Sequence, residues 1–132
     1  MKEMKNIKVS FDFDSTLDRG DVQMLAMWLV HQGIEVWIVT SRISDDDAAF
    51  KGWTHNWNGD LWTVADQVGI KKENTHFTAY ANKSEFLDGK GFLFHLDDDD
   101  IELEFISELD DGIIPIHVEK DDWFNKIKEL IK

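Results

Sequence analysis

Carboxylates cluster at the ends of two apolar segments of this chain. The stretch NIKVSFDFDSTLD contains a predicted strand that ends at Asp12, and Asp14 and Asp18 follow closely. A second acidic run, residues 97–100, follows the apolar segment GFLFHL. Carboxylates that converge repel one another unless they are protonated or bridged by a hard divalent cation. If the fold brings the two runs together, they predict a Mg²⁺ site.

The elements that carry these acids alternate between strand and helix. The predicted strands cover residues 7–12, 34–40, 76–80, 91–96 and 113–118. Helical patterns cover residues 20–33, 60–70, 82–89, 101–109 and 121–131, and residues 41–59 are predicted to be loop or short helix. This alternation predicts an α/β protein, a three-layer Rossmann-like fold with a mostly parallel five-stranded sheet and helices on both faces. Pro115 favours an edge position for the last strand.

Length, composition and charge restrict the classes of protein that the chain can belong to. Its 132 residues suit one domain, 1–132, and the absence of cysteine excludes disulfides and thiolate metal sites. No apolar run approaches the ~18 residues of a membrane span, so we expect a cytoplasmic protein with no membrane partner. The net charge of −13 repels polyanions and disfavours a generic nucleic-acid binder.

Four short motifs occur in order along almost the whole chain. The first is an apolar strand ending in Asp-x-Asp-x-Thr (VSFDFDST), and the second is an apolar strand ending in Thr (VWIVTS). The third is a lysine at a helix start, assigned to Lys83 in ANKSEFL, with Lys71, Lys72 and Lys90 nearby as alternatives. The fourth, FLFHLDDDDIE, is an apolar strand ending in an acidic pair. The set resembles the haloacid dehalogenase (HAD) superfamily of phosphotransferases.

This resemblance implies a catalytic apparatus for phosphoryl transfer. Asp12 would be the nucleophile and would form an aspartyl-phosphate. Asp14 would act as general acid and base, and an acid at this position distinguishes the phosphatases of the family from its dehalogenases and ATPases. Thr40 would donate a hydrogen bond to the phosphoryl group while Lys83 balances its charge. The implied activity is that of a Mg²⁺-dependent phosphomonoester hydrolase.

The resemblance also implies a set of metal ligands. Mg²⁺ would be held by the Asp12 carboxylate, the backbone carbonyl of Asp14 and Asp98, with Asp97 adjacent. Asp98 is preferred because Glu102 follows it at the four-residue spacing of the fourth motif. Glu102 could orient Lys83 or a metal-bound water, or it could be an exposed acid on the first turn of a helix.

Three further residues are candidates for binding the substrate phosphate. They are Thr16, Ser41 and Arg42, which lie within or directly after the first two motifs. Arg42 could instead form an ion pair with Asp45 or Asp46.

The spacing of the motifs bears on the class of substrate. Only the short LDRGD separates the first motif from its helix, and about forty residues separate the second and third motifs, so we expect no sizeable cap domain. The layout and the pattern DDxxxE…GIxxxHV are similar to the phosphatase domain of phage polynucleotide kinases. The expected substrate is a phosphorylated small molecule, a nucleotide or a nucleic-acid end. Trp53, Trp57 and Trp62 could stack on a base or pack in the core.

Two other classes of protein remain open on the sequence. A phospho-receiver signalling module also carries an acidic pair after its first strand, but it needs an Asp after the third strand, where this chain has HFTAY. A non-catalytic phosphate- or metal-binding protein could keep the same residue types. The five histidines show no metal-ligand spacing, and we expect them to be packing or surface residues.

Overall fold

Five parallel strands form one sheet in the order β3-β2-β1-β4-β5. The computed structural model describes residues 6–53 and 56–132. The strands are β1 (Lys8–Phe11), β2 (Glu35–Thr40), β3 (Thr75–Phe77), β4 (Phe94–Asp97) and β5 (Ile114–His117). The α/β class and the five-stranded sheet are confirmed, and every strand pair in the sheet is parallel.

Helices cover both faces of the sheet and complete three layers. They are α1 (Gly20–His31), α2 (Asp45–Phe50), α3 (Gly59–Val68), α4 (Lys83–Leu87), α5 (Asp100–Ser107) and α6 (Trp123–Ile131). Alternate residues of β2 point to opposite faces of the sheet. On one face, Val36 and Ile38 pack with α1, α3 and α6. On the other face, Trp37 and Val39 pack with α4 and α5. In the two described ranges, no helix is both long enough and apolar enough to cross a membrane.

The order of the strands places β1 and β4 side by side at the centre of the sheet. The chain runs outwards from β1 through β2 to β3, and then crosses to β4 and β5 on the other side. The direction of winding therefore reverses between β1 and β4, which is where open α/β sheets bind their ligands. Pro115 lies on the edge strand β5, as predicted. Proline has no N–H to donate to a neighbouring strand, and an edge strand tolerates this because only one of its sides is paired.

The third strand is shorter than the sequence predicts. β3 ends at Phe77, and Ala79 and Tyr80 adopt left-handed conformations with φ of 54° and 70°. Their N–H groups bond back to the carbonyl oxygens of Arg42 and Ser41. The predicted strand residues 78–80 therefore form a turn that packs the loop after β2 against the end of β3.

The fourth strand is displaced towards the C-terminus relative to the prediction. It begins at Phe94 rather than at residue 91, and it includes Asp97 as its last residue. Asp97 accepts the N–H of Val118 through its carbonyl oxygen, so it is still part of the sheet and is fully buried. Asp98 is the first residue beyond the strand. The displacement gives these two neighbouring acids different surroundings.

A wide turn, Phe13–Leu17, joins β1 to the loop before α1. The N–H groups of Leu17 and Asp18 close it by bonding the carbonyl oxygens of Asp12 and Phe13. Ser15 has a φ of 62°, in the left-handed region that favours glycine. Its N–H donates to the Asp18 carboxylate at 3.1 Å, which stabilises the turn without a glycine.

The N-terminus of α5 provides a test of how the acidic run supports the fold. The Asp99 carboxylate accepts the N–H groups of Ile101 and Glu102. We expect Asp99→Ala to lower the free energy of unfolding by about 1 kcal/mol, because an N-cap is lost. Asp99→Asn keeps an equally good cap and should stay within about 0.5 kcal/mol of the wild type. Urea denaturation of the three proteins checks this, and equal losses in both variants would show that the charge, not the cap, matters.

Candidate functional site

Three carboxylates converge where β1 and β4 end. Ser10 and Phe11 pair with His95 and Leu96 across the two strands, and the Asp12 N–H donates to the Leu96 carbonyl at 2.9 Å. This register brings together the carboxylates of Asp12, Asp97 and Asp98, each of which has an oxygen within 4.8 Å of the others. The two acidic runs of the sequence therefore meet at one point.

Lys83, the first residue of α4, lies between two of these carboxylates. Its Nζ is 2.8 Å from Asp12 Oδ1 and 2.7 Å from Asp97 Oδ2, and the side chain is almost completely buried. The backbone N–H of Lys83 faces both carboxylate oxygens of the buried Glu102, at 3.3 and 3.4 Å. Glu102 is therefore not an exposed helix residue: it contacts the start of α4 and supports the placement of Lys83.

The other lysines considered for the third motif lie elsewhere. The ammonium group of Lys72 lies over the Trp62 ring, and that of Lys90 lies over the Phe86 ring. Lys71 is exposed. Among these candidates, Lys83 alone is placed against the carboxylate cluster.

Both oxygens of the Asp97 carboxylate are occupied by hydrogen-bond donors. Oδ1 accepts the N–H groups of Asp98 and Asp99 at 2.8 and 3.1 Å, and Oδ2 accepts from Lys83 and His95, each at 2.7 Å. Burial alone would raise the pKa of Asp97, but the contacts with His95 and Lys83 outweigh it and hold this pKa far below the usual range. A metal ion on Asp97 would have to displace one of four donors, so the geometry favours Asp98 as the ligand.

Asp12 and Asp98 carry the negative charge that is least compensated. Burial, and then the neighbouring charge of Asp97, raise the pKa of Asp12 well above its usual value, although Lys83 opposes this. Burial also raises the pKa of the half-buried Asp98, which lies within hydrogen-bonding reach of Asp12. With three carboxylates around one ammonium group, these all-oxygen donors fit a hard divalent cation such as Mg²⁺.

The remaining acids of the run 97–100 have other partners. Asp99 caps α5, as described above. Asp100 is exposed and forms an ion pair with Lys120 at 2.6 Å. Neither is in the convergent cluster, so Asp97 and Asp98 are the two acids of the run that could face a metal ion there.

Asp14 points towards Arg42 rather than towards the cluster. The guanidinium contacts Asp14 through two hydrogen bonds of 2.7 and 3.0 Å, and the Asp14 side chain is half exposed. Arg42 also donates twice to Asp60 and once to Asn58, so all five of its N–H donors are used. The hydrogen bonds that Arg42 donates to Asp60 and Asp14 raise the pKa of its guanidinium further.

This geometry corrects the pairing suggested for Arg42. Its partners are Asp14 and Asp60, not Asp45 or Asp46. Asp45 instead accepts the N–H and side-chain amide of Asn58 and the indole N–H of Trp62. To contact a substrate phosphate, Arg42 would have to release one of the carboxylates that it holds here.

The other candidate phosphate-binding residues lie at the ends of β1 and β2. The Thr16 hydroxyl donates to Asp12 Oδ2 at 3.4 Å and is fully buried. The Thr40 hydroxyl, also buried, accepts the N–H of Arg42 at 3.3 Å and so retains its own proton for another acceptor. Ser41 is half-buried, and its carbonyl oxygen accepts the N–H of Tyr80.

Two residues behind the carboxylates were not assigned to the site by the sequence analysis: His95 contacts a carboxylate, and Ser10 contacts His95. His95 Nε2 is 2.7 Å from Asp97 Oδ2, and His95 Nδ1 is 2.7 Å from the Ser10 hydroxyl. Both side chains are fully buried. The period of two along a strand could have revealed them, because it places Ser10 on the face of Asp12 and His95 on the face of Asp97. His55, another of the five histidines, lies outside the described residues.

The three tryptophans separate into two groups. Trp62 packs against the core on α3, where its ring edge meets Phe77. Trp53 and Trp57 contact each other, with ring centroids 4.8 Å apart, and remain 41% and 38% exposed. The packing interpretation therefore holds for Trp62, and the other two form a surface pair.

Comparison with known proteins adds no relatives to this description. No protein-family model, no curated protein and no solved structure matches the chain.

The buried charge of Asp12 predicts how stability depends on pH. A carboxyl whose folded-state pKa is raised destabilises the fold as pH rises from the unfolded value of 3.8 through the folded value. Without added metal, Asp12→Asn should therefore need more urea to unfold than the wild type at pH 7. The gap should close as the pH falls towards 3.8.

Urea titrations at several pH values, with EDTA present, measure this difference. Asp66→Asn, which removes an exposed carboxylate on α3, controls for the change in net charge and should not show the same pH-dependent gap. If Asp12→Asn were less stable than the wild type at pH 7, the ion pair with Lys83 would outweigh the cost of burial.

Proposed function

We propose that the protein is a Mg²⁺-dependent phosphomonoester hydrolase of the HAD type, acting through an aspartyl-phosphate on Asp12. One observation supports this most directly: a buried carboxylate bonded to a buried lysine faces a second carboxylate across the central strands. Structural ion pairs rarely leave uncompensated negative charge in such a place, and perturbed carboxyl groups at strand ends are typical of functional sites.

Asp12 would be the nucleophile. A carboxylate oxygen attacks phosphorus in line, so that an acyl-phosphate bond forms and the bond to the leaving alkoxide breaks. Lys83 and the Thr16 hydroxyl fix the Asp12 carboxylate from two directions. Water then attacks the phosphoryl group, which releases inorganic phosphate and regenerates Asp12.

Asp14 would exchange the protons of the two steps. It protonates the leaving oxygen in the first step and takes a proton from the attacking water in the second. Two hydrogen bonds from Arg42 hold both oxygens of the Asp14 carboxylate in this structure. Donation in the first step requires this contact to loosen when substrate is bound.

The metal would be held by Asp12, Asp98 and the backbone carbonyl of Asp14. When bound, Mg²⁺ would neutralise the carboxylates and the phosphoryl oxygens, which otherwise repel each other. The Thr40 hydroxyl, which keeps its proton, would donate to the phosphoryl group. Lys83 supplies positive charge next to Asp12.

The surroundings of the site bear on the substrate. Only residues 12–19 separate β1 from α1, and in the described residues the segment between β2 and α3 contains one short helix, α2. A site without a large lid accommodates a bulky phosphomonoester: a phosphorylated small molecule, a nucleotide or a nucleic-acid end. The net charge of −13 weighs against a long polyanion.

The strand order bears on the receiver alternative. Receiver modules of the flavodoxin-like type order their strands 2-1-3-4-5, whereas this sheet is ordered 3-2-1-4-5. β3 is followed by Thr78 and Ala79, so the position that would accept the phosphoryl group in a receiver carries no acid. These two observations favour the hydrolase over the receiver.

Turnover of p-nitrophenyl phosphate tests the proposal. We expect hydrolysis that requires Mg²⁺, a loss of at least about 10³-fold in kcat for Asp12→Asn, and a loss of about 10²–10⁴-fold for Asp14→Asn. The control Asp66→Asn should leave turnover unchanged. Phosphate release from a panel of nucleotides, sugar phosphates and 3′-phosphorylated oligonucleotides then identifies the substrate class.

Two results would contradict the hydrolase. Mg²⁺ binding without turnover of any phosphomonoester would indicate a non-catalytic metal-binding protein. Turnover that survives Asp12→Asn would show that the phosphoryl group is not transferred to this carboxylate.

A further inference from the structure

Two buried polar side chains, Ser10 and His95, lie behind the carboxylates and have no part in the mechanism above. Each is fully buried in a central strand, where an apolar residue would serve packing equally well. A buried polar pair costs stability unless its hydrogen bonds are made, which here they are. The pair therefore calls for a role other than packing.

The strand register explains how the pair reaches the site. Ser10 and His95 are direct neighbours across β1 and β4, and Asp12 and Asp97 follow each of them by two residues. Side chains two residues apart point to the same face of a sheet, so all four belong to the face covered by α4 and α5. Lys83 enters the same layer at the start of α4.

The hydrogen bonds define a continuous chain of five side chains. It runs from Ser10 to His95, Asp97, Lys83 and Asp12, with successive distances of 2.7, 2.7, 2.7 and 2.8 Å. A carboxylate can only accept, so His95 donates to Asp97 through Nε2–H. Nδ1 of the neutral ring then accepts the Ser10 hydroxyl proton, whose other acceptor, the Phe94 carbonyl, is further away at 3.5 Å.

We propose that His95, held in its Nε2–H form by Ser10, is a positioning residue that fixes the Asp97 carboxylate and thereby holds the Lys83 ammonium against Asp12. His95 and Lys83 share one oxygen, Asp97 Oδ2, so the direction of the His95 bond sets where that oxygen lies. A lysine has a flexible four-carbon stem, and its ammonium is placed only as well as its acceptors are.

The inference rests on the proposed hydrolase and identifies a residue on which its rate depends. With His95 removed, Asp97 keeps three donors and stays buried, but its Oδ2 can turn and take Lys83 with it. The Lys83 ammonium would then be displaced from the position at which it orients Asp12 and neutralises negative charge on the phosphoryl group. Misplacement of such a group by about 1 Å costs up to about 100-fold in rate.

Variants of His95 that differ in where they carry an N–H test this. The amide N–H of His95→Gln lies near the position of Nε2, and that of His95→Asn lies near Nδ1. With p-nitrophenyl phosphate, we expect kcat to fall about 10–100-fold in His95→Asn and His95→Phe, with KM changed by less than about threefold. His95→Gln should recover most of the loss. His76→Gln, a histidine on β3 stacked on Phe86, is the matched control and should keep wild-type kcat.

Ser10→Ala provides a second, milder variant if the His95 variants do not fold. It removes the hydroxyl that fixes the ring, and kcat should fall while KM is kept. Equal kcat in His95→Gln and His95→Asn would overturn the proposal. Wild-type kcat in both His95→Phe and Ser10→Ala would also overturn it.

Imidazole ¹⁵N–¹H NMR of labelled protein gives a readout that does not depend on turnover. We expect His95 to be the Nε2–H tautomer at pH 7 in the wild type, and this resonance pattern to change in Ser10→Ala. An Nδ1–H tautomer or an imidazolium would overturn the positioning role. Absence of phosphatase activity in the wild type would contradict the proposed hydrolase alone, and the tautomer would still decide whether His95 orients Asp97.

Discussion

The structure depends on one unfavourable placement, the burial of two carboxylates at the ends of neighbouring central strands. Asp12 and Asp97 both lie in the dry interior, where like charges repel strongly because little water screens them. Lys83 lies between them and offsets part of this repulsion. Loss of the cation from a buried ion pair typically costs about 3–5 kcal/mol, because the anions that remain are uncompensated, so the placement of both carboxylates depends on Lys83. The residual negative charge on the side of Asp98 is what makes a cation site physically reasonable.

Several local features support the burial of Asp12 and Asp97 beside Lys83. α4 has only five residues and would not be stable alone, yet it begins with a buried lysine whose backbone N–H faces Glu102 of α5. α5 in turn is preceded by Asp99, which caps it, so the acidic run supplies in order a buried anion, a half-buried anion of the carboxylate cluster and a helix cap. Three consecutive acids thus perform three different tasks, which their sequence alone does not distinguish.

The strands and their convergence were predictable because they depend on local patterns. Alternating or continuous apolar runs predict β1 and β2, and Pro115 predicts the edge strand, since each effect acts over a few residues. The apolar pattern did not predict the last residue of β4. Because β4 extends one residue further than predicted, Asp97 is buried and its carboxylate accepts hydrogen bonds. The ion pair between Arg42 and Asp60 was also not predictable from the sequence. Asp60 lies eighteen residues away, and only the position of the start of α3 brings it near Arg42. Metal-ligand spacing does not reveal the role of His95, because its partner, Asp97, is a carboxylate two residues further along the same strand.

The two acids of the first motif show how adjacent positions acquire different chemistry. Asp12 is buried and bonded to an ammonium, whereas Asp14 is half exposed and bonded to a guanidinium on the other side of the turn. The intervening residue, Phe13, is buried, and its ring lies under the Arg42 guanidinium at 4.9 Å, which holds the second acid in place. A nucleophile needs a fixed position and freedom from bulk water, and an acid–base group needs access to water and to the leaving oxygen. One buried apolar residue between the two acids is therefore enough to give them the different surroundings that the proposed roles require.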